Sequence, residues 1–284
     1  MTEKREAHLR QGTIMYRDTG AGEPLLFVHG IGVNGELWRK VAPELSKDFR
    51  CIVPDWPLGS HPVPMNRDAD LTPPALAQMI ADFMKALDLH AVTLIGNDTG
   101  GALAQIVAAD YPERLARLVL VSCDLYEYFF PPVIRPLQML ARVPGFLALL
   151  GQALRIRMLQ RLPVAYGWVM KRPAPPEEMK AYLDPPRRSA GVRRDLKKFL
   201  VSVNNRYTLE AARKLKSFDK PTLLVWAKEE KFFPLETARR LASEMPQARL
   251  ELVGDSYTFI PEDQPERLAH IIHDFIKRQV SVAA

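Results

Sequence analysis

With 284 residues, 47% of them hydrophobic and 25% charged, the chain has the composition of a soluble globular protein, large enough for one α/β domain with an insertion or for two small domains. Cys51 and Cys123 fall in or just after strand-like runs and are expected as buried thiols; no zinc-type spacing occurs, and neither metal nor cofactor is expected. The net charge of +6 raises nucleic acid as a partner, but the basic residues of KREAHLR, PERLARL and RRSAGVRRDLKK stand among acids, so a solvated basic surface and no nucleic-acid partner are expected.

The opening MTEKREAHLRQG has no apolar run and does not read as a signal peptide. TIMYRD alternates like a half-buried strand, and PLLFVHG is a short buried one. ELWRKVAPELSK has helical spacing, RCIVPD reads as a strand, PALAQMIADFMKALDL as a helix, AVTLIGN as a strand, GALAQIVAADYPERL as a helix and RLVLVSC as a strand. This alternation predicts an α/β fold built of βαβ units, with a mostly parallel sheet and helices on both faces. It lapses between about Tyr126 and Phe218, a stretch rich in proline and in helix-forming blocks such as LQRLPVAYGWVMKR. Residues 126–218 are therefore expected as a helical lid inserted into a core formed by 1–125 and 219–284. Within the lid, VPGFLALLGQALRIRMLQRL is interrupted by Gly151, Arg155 and Arg157 well short of a membrane span. A cytoplasmic protein with no membrane partner is expected. The sheet resumes with PTLLVWA and ARLELVG, alternating with the helical patterns ETARRLASEM and PERLAHIIHDFIKRQV.

One short stretch carries chemistry. IGNDTGG, Ile95 to Gly101, joins a strand to a helix by a sharp turn with glycines on both sides, so Asp98 stands at the tip of the turn with the Thr99 N–H beside it. From the motif alone Asp98 is either a reactive group or a helix cap.

Other blocks of the chain extend the pattern. LLFVHGIG resembles the oxyanion loop of α/β-hydrolases, CIVPDWPLGSHPVPM their next strand and loop, LLVWAKEEKFFP their acid-bearing strand and turn, and DSYTFIPEDQPERLA their final catalytic loop and helix. The blocks come in the family's order, with the lid where the family carries it. The branch most similar uses an aspartate nucleophile, as haloalkane dehalogenases and epoxide hydrolases do. That resemblance implies Asp98 as nucleophile, the backbone N–H groups of Ile31 and Thr99 as oxyanion donors, and Glu230 as the acid that orients a base. Asp124, just after the strand before the lid, is a second acid candidate; a capping or salt-bridging role at the lid hinge is the alternative. Glu229, Glu262 and Asp263 are expected as surface charges.

The family's histidine is missing. Thr258 occupies its position, and threonine has no group that titrates near neutral pH. Of the six histidines, His8, His90, His270 and His273 are expected away from the site, and His29 as a support of its loop. His61 alone lies in a loop beyond the carboxyl end of a strand, where α/β sheets keep their sites, so it is either a loop residue bonded to backbone or, like Glu230, an alternative acid/base.

A carboxylate attacking a saturated carbon leaves an alkyl ester on the enzyme, and activated water must release it. The resemblance implies halide donors beside the nucleophile, in the oxyanion loop or in the lid. Thr99 and Ile31 hold the first two positions, leaving Trp168. Epoxide hydrolases protonate the ring oxygen with lid tyrosines, for which Tyr126, Tyr128, Tyr166 and Tyr182 are candidates, although the loop reads His-Gly-Ile-Gly rather than the usual His-Gly-x-Pro. Asn97 either donates to substrate or pins the turn. The reading is a cofactor-independent α/β-hydrolase acting on a small or medium apolar epoxide, haloalkane or ester, impaired in releasing its ester. A non-hydrolytic ligand-binding protein, or an Asp98-based lyase or isomerase, is the alternative. Oligomeric state leaves no signal in the sequence.

Overall fold

The apolar runs pair into one eight-stranded sheet in a computed structural model that describes residues 4–283; the first three residues of the opening segment lie outside the described residues. The strands are β1 (Arg5–Leu9), β2 (Gly12–Thr19), β3 (Pro24–Val28), β4 (Arg50–Pro54), β5 (Val92–Asp98), β6 (Leu115–Cys123), β7 (Thr222–Ala227) and β8 (Ala248–Val253). Their spatial order is β1-β2-β4-β3-β5-β6-β7-β8. The first two strands are antiparallel to their neighbours, and all pairs from β4 to β8 are parallel. β5 and β7 are buried along their whole length, as strands covered on both faces must be, which explains their unbroken apolar sequence.

Helices flank the sheet: α1 (Ala42–Leu45), α2 (Pro73–Ala86), α3 (Thr99–Asp110), then α4 (Arg135–Leu140), α5 (Phe146–Ala153), α6 (Arg157–Gln160), α7 (Pro176–Arg188), α8 (Ala190–Ser202) and α9 (Arg206–Leu215), then α10 (Leu235–Glu244), α11 (Ile260–Asp263) and α12 (Pro265–Ala283). The six helices from α4 to α9 all fall between β6 and β7. One strand went unread in the sequence, and one local expectation needs correction. β1 carries no apolar alternation to announce it, because only Ala7 of its five residues is buried. ELWRKVAPELSK is not one helix but a 3-10 turn, Gly35–Trp38, capped by the Asn34 side chain, followed by the single turn α1. Pro43, at the start of α1, has no N–H with which to continue the preceding turn. Among the described residues no helix is long and apolar enough to cross a membrane.

Candidate active site

β5 runs into α3 with no intervening loop, and Asp98 is the junction, at φ 55° and ψ −132°. Few side chains tolerate that backbone, and such residues persist only where the surroundings enforce them. Here the enforcement is the close approach of two glycines. A Cβ on Gly30 would lie 2.1 Å from Asp98 Oδ2, and one on Gly100 would lie 2.3 Å from the Val28 carbonyl oxygen. The β3 loop is thereby pressed against the turn. The Asp98 side chain does not cap α3; the N–H groups of Thr99 and Ile31 face its carboxylate instead. These donors favour the charged form, but burial and the charge of Glu230 oppose it. Burial dominates, and the Asp98 carboxyl is pushed up to about 7.

Two more carboxyls adjoin it. β6 pairs with β5 so that Asp98 lies beside Cys123, and Asp124 follows directly. Asp124 is fully buried and neither of its oxygens has a hydrogen-bond partner; the Thr99 hydroxyl lies close by but outside bonding geometry. Burial, then the Asp98 charge, holds its carboxyl well above the usual carboxylate range. Asp98 is the one of the pair whose charge is met by N–H donors, and Asp124 the one without partners among the described residues. Glu230, on the loop after β7, accepts from the Thr258 hydroxyl at 2.6 Å and from the Lys231 and Phe232 N–H groups at 2.9 and 3.0 Å, all on Oε1. Its residue surface is partly exposed, yet Oε2 is buried without a partner, and burial raises its pKa against these donors.

Asp98 and Asp124 form the polar part of the floor of a cavity of about 490 Å³. Phe232, Phe233 and Phe259 line its core side, and Phe130, Leu137 and Leu200 are among the apolar side chains contributed by residues between β6 and β7. Such a chamber suits an apolar molecule of modest size with one reactive polar point.

A family model described as alpha/beta hydrolase fold matches residues 23–265. The chain belongs to the alpha/beta hydrolase fold family. It is 27% identical over 270 residues to haloalkane dehalogenase 2 of Mycobacterium bovis, covering 92% of this chain and 91% of that one. It is likewise 27% identical over 268 residues to 2-hydroxymuconate semialdehyde hydrolase of Pseudomonas sp. strain CF600, covering 91% of this chain and 88% of the relative. Among solved structures, the epoxide hydrolase CorEH without ligand superposes with a TM-score of 0.81 at 21% identity, over 98% of this chain and 99% of that one, which shows a shared fold. The chain is an α/β-hydrolase-type enzyme.

Within this hydrolase fold no histidine reaches the cavity. His29 is buried and accepts the Trp56 N–H on Nε2 at 2.8 Å, so its proton is on Nδ1, 2.8 Å from the Gly30 carbonyl oxygen. Burial lowers its pKa to about 4, and the neutral ring supports the loop. His61, the expected alternative base, does not line the cavity; its Nε2 lies 3.3 Å from Oδ2 of Asp195 on α8, tying its loop to that helix. The remaining four lie on the surface, on β1, before β5 and on α12.

Several substrate-contact expectations are overturned. The Asn97 amide donates to the carbonyls of Val121, Ser122 and Thr258 at 2.8, 3.2 and 2.8 Å, so it pins the turn to the β6 end and to the final loop. The Tyr126 hydroxyl donates to Glu244 at 3.0 Å with Arg240 over its ring, away from the cavity. Trp168 is partly exposed against Phe232 and does not line it, nor does Tyr128. Tyr166 and Tyr182 do line it, but their hydroxyls are engaged, by the Gly32 carbonyl at 2.6 Å and by Glu262 at 3.0 Å. Asp124 makes neither cap nor salt bridge among the described residues. Glu262 and Asp263 are not surface charges. Glu262 is buried under Arg39, Lys40 and Tyr182, and Asp263 accepts the backbone N–H groups of Lys171, Arg172 and Tyr257, so both anchor residues 171–182 to the final loop. Glu229 bonds Lys171 at the surface.

Proposed function

We propose that the protein is a hydrolase of small or medium apolar epoxides, with Asp98 as nucleophile and Asp124 as the proton carrier. The observation that carries this reading is the buried pair itself: a carboxylate facing two backbone N–H groups, beside a carboxyl with both oxygens unpartnered, under an apolar cavity. The ionised Asp98 attacks one ring carbon, the C–O bond of the epoxide breaks, and Asp124 gives its proton to the departing oxygen. An alkyl ester of Asp98 and an Asp124 carboxylate result. That carboxylate takes a proton from water as the water attacks the ester carbonyl, whose developing oxyanion is met by the Ile31 and Thr99 N–H groups. Collapse breaks the acyl C–O bond, Asp124 returns its proton to the leaving alkoxide, a vicinal diol departs, and the water's second proton, left on Asp98, passes to Asp124 to restore the pair.

A halide leaving group is supported less. Trp168 does not line the cavity, and among the described residues no N–H donor other than the two backbone groups is directed at Asp98. The family's orienting acid, Glu230, has no imidazole to orient. It holds Thr258, and Asn97 holds the Thr258 carbonyl, so the three brace the turn under Asp98. Residues 126–218 serve as a lid over residues 1–125 and 219–284.

A single turnover in ¹⁸O-labelled water tests the scheme. Transfer of an unlabelled oxygen from Asp98 to the first diol, with label left in the Asp98 peptide, is the expected result. Label in the first diol would mean direct hydration. Binding of an epoxide with neither diol nor ester would instead identify a ligand-binding protein.

A further inference from the structure

The positive charge of the chain is not evenly distributed. Residues 128–176 contain seven of its 39 basic side chains and none of its 33 acidic ones, so the remainder is balanced to within one charge. The expectation of basic residues interleaved with acids fails for this segment. It also holds nine of the ten large apolar side chains that are exposed among the described residues; Leu209 is the exception. Met158 is 74% exposed, Leu149 70% and Met139 68%. Lys171 and Arg172 are neutralised by Glu229 and Asp255. The other five, Arg135, Arg142, Arg155, Arg157 and Arg161, are exposed and make no ion pair among the described residues, Arg142 bonding only to backbone carbonyls.

The cavity opens on this same surface. Leu140, Leu162 and Val164 line the cavity and are also 44%, 46% and 53% exposed, so they mark its mouth. Exposed apolar residues grouped around a mouth, with unpaired arginines among them, are unusual on a monomeric surface. A second copy of the chain would bring the same arginines face to face and be repelled. Nucleic acid would satisfy the arginines and leave the methionine and leucine side chains in water. An anionic bilayer satisfies both, with guanidinium groups on the lipid phosphates and apolar side chains at the acyl boundary.

We propose that the surface formed by α4, α5 and α6 and their connections docks on anionic phospholipid bilayers, opening the cavity toward apolar solutes dissolved there. The protein lies on the bilayer and does not cross it. This docking does not depend on what Asp98 does.

Vesicles of phosphatidylcholine with roughly 30 mol% phosphatidylglycerol, against phosphatidylcholine alone, test the proposal with the full chain. Co-sedimentation with the anionic vesicles at low salt, at least about tenfold tighter than with neutral ones and weakened by high salt, is expected. Trp168 is the only partly exposed tryptophan of the four, so its emission should shift to the blue on binding and be quenched by brominated lipid. The triple variant Arg155→Glu/Arg157→Glu/Arg161→Glu should lose binding by about tenfold or more. Leu149→Ser/Met158→Ser, with every charge kept, should lose it several-fold, which separates seating in the interface from diffuse attraction. All five positions are exposed and none lines the cavity, so folding and turnover of a water-soluble epoxide should be unchanged. Failure of the parent to sediment with anionic vesicles would overturn the proposal. So would binding unaffected by the triple variant, binding with no response of Trp168, or a solution dimer that Leu149→Ser/Met158→Ser dissolves.

Discussion

The floor and the roof of the cavity handle charge in opposite ways. At the floor, Asp98 and Asp124 are buried side by side at the ends of the parallel strands with Glu230 behind them, and burial raises all three pKa values. Over the roof, five arginines stand in solvent without carboxylate partners among the described residues, and the side chains turned inward are mostly apolar. Like charges at the floor are tolerated because two of them can hold protons, whereas arginines cannot give theirs up and must stay in water or meet an anion. The floor is therefore suited to moving protons, and the roof to placing an apolar molecule above them.

The largest effect should come from the floor. Asp124→Asn keeps the shape but cannot carry the proton, and both ring opening and ester release should slow by about a hundred- to ten-thousand-fold. An Asp124→Asn enzyme as fast as the parent would remove Asp124 from the scheme. Thr258→His comes next. Its imidazole would stand within reach of Glu230, which now binds the Thr258 hydroxyl at 2.6 Å, and ester release should quicken by roughly ten- to a hundredfold while alkylation changes little. Pre-steady-state measurement of the two steps separates them.

Ester formation should also follow the ionisation of Asp98. Because its carboxyl sits at about 7, the rate should fall about tenfold for each pH unit below that and level off above it. Burial and the Asp98 charge hold the Asp124 carboxyl well above the usual carboxylate range. A rate independent of pH from 5 to 8 would contradict the buried-pair account. The smallest effect is on stability. A carboxyl raised from 3.8 to about 7 on folding destabilises the fold as pH rises between those values. Asp98→Asn should therefore leave melting unchanged below about pH 4 and raise it by a few degrees above pH 7, measured by thermal unfolding across that range. Equivalent substitution of an exposed acid such as Glu177 gives the control.

The fold was legible because its central strands are buried on both faces and so read as unbroken apolar runs, and because IGNDTGG joins strand to helix within seven residues. Asp98, Thr99 and Ile31 come together as that motif and HGIG suggest, and Thr258 does contact Glu230. Polar partners were not legible. Asn97 could face substrate or backbone, and only the placement of the β6 end and the final loop around it decides for backbone. His61 sits at the correct end of the sheet, but Asp195, distant in sequence, holds its ring. Glu262 and Asp263 follow proline on a short helix, with nothing local to show that Arg39 and the Lys171 backbone would cover them. For Asp124 a signal existed. It directly follows the nine-residue strand beside the elbow, so its side chain could be expected level with Asp98. The absence of any acid from residues 128–176 was equally plain in the sequence, and composition averaged over the whole chain conceals it.

Intact-mass measurement after exposure to a reactive terminal epoxide tests the central claim most directly, namely that Asp98 attacks carbon with no imidazole to release the product. The account predicts a mass increase of one epoxide on the protein, mapping to the peptide that contains Asp98, absent in Asp98→Ala and longer-lived in Asp124→Asn than in the parent. Diol formation undiminished in Asp98→Ala, with no adduct on any form of the protein, would contradict it.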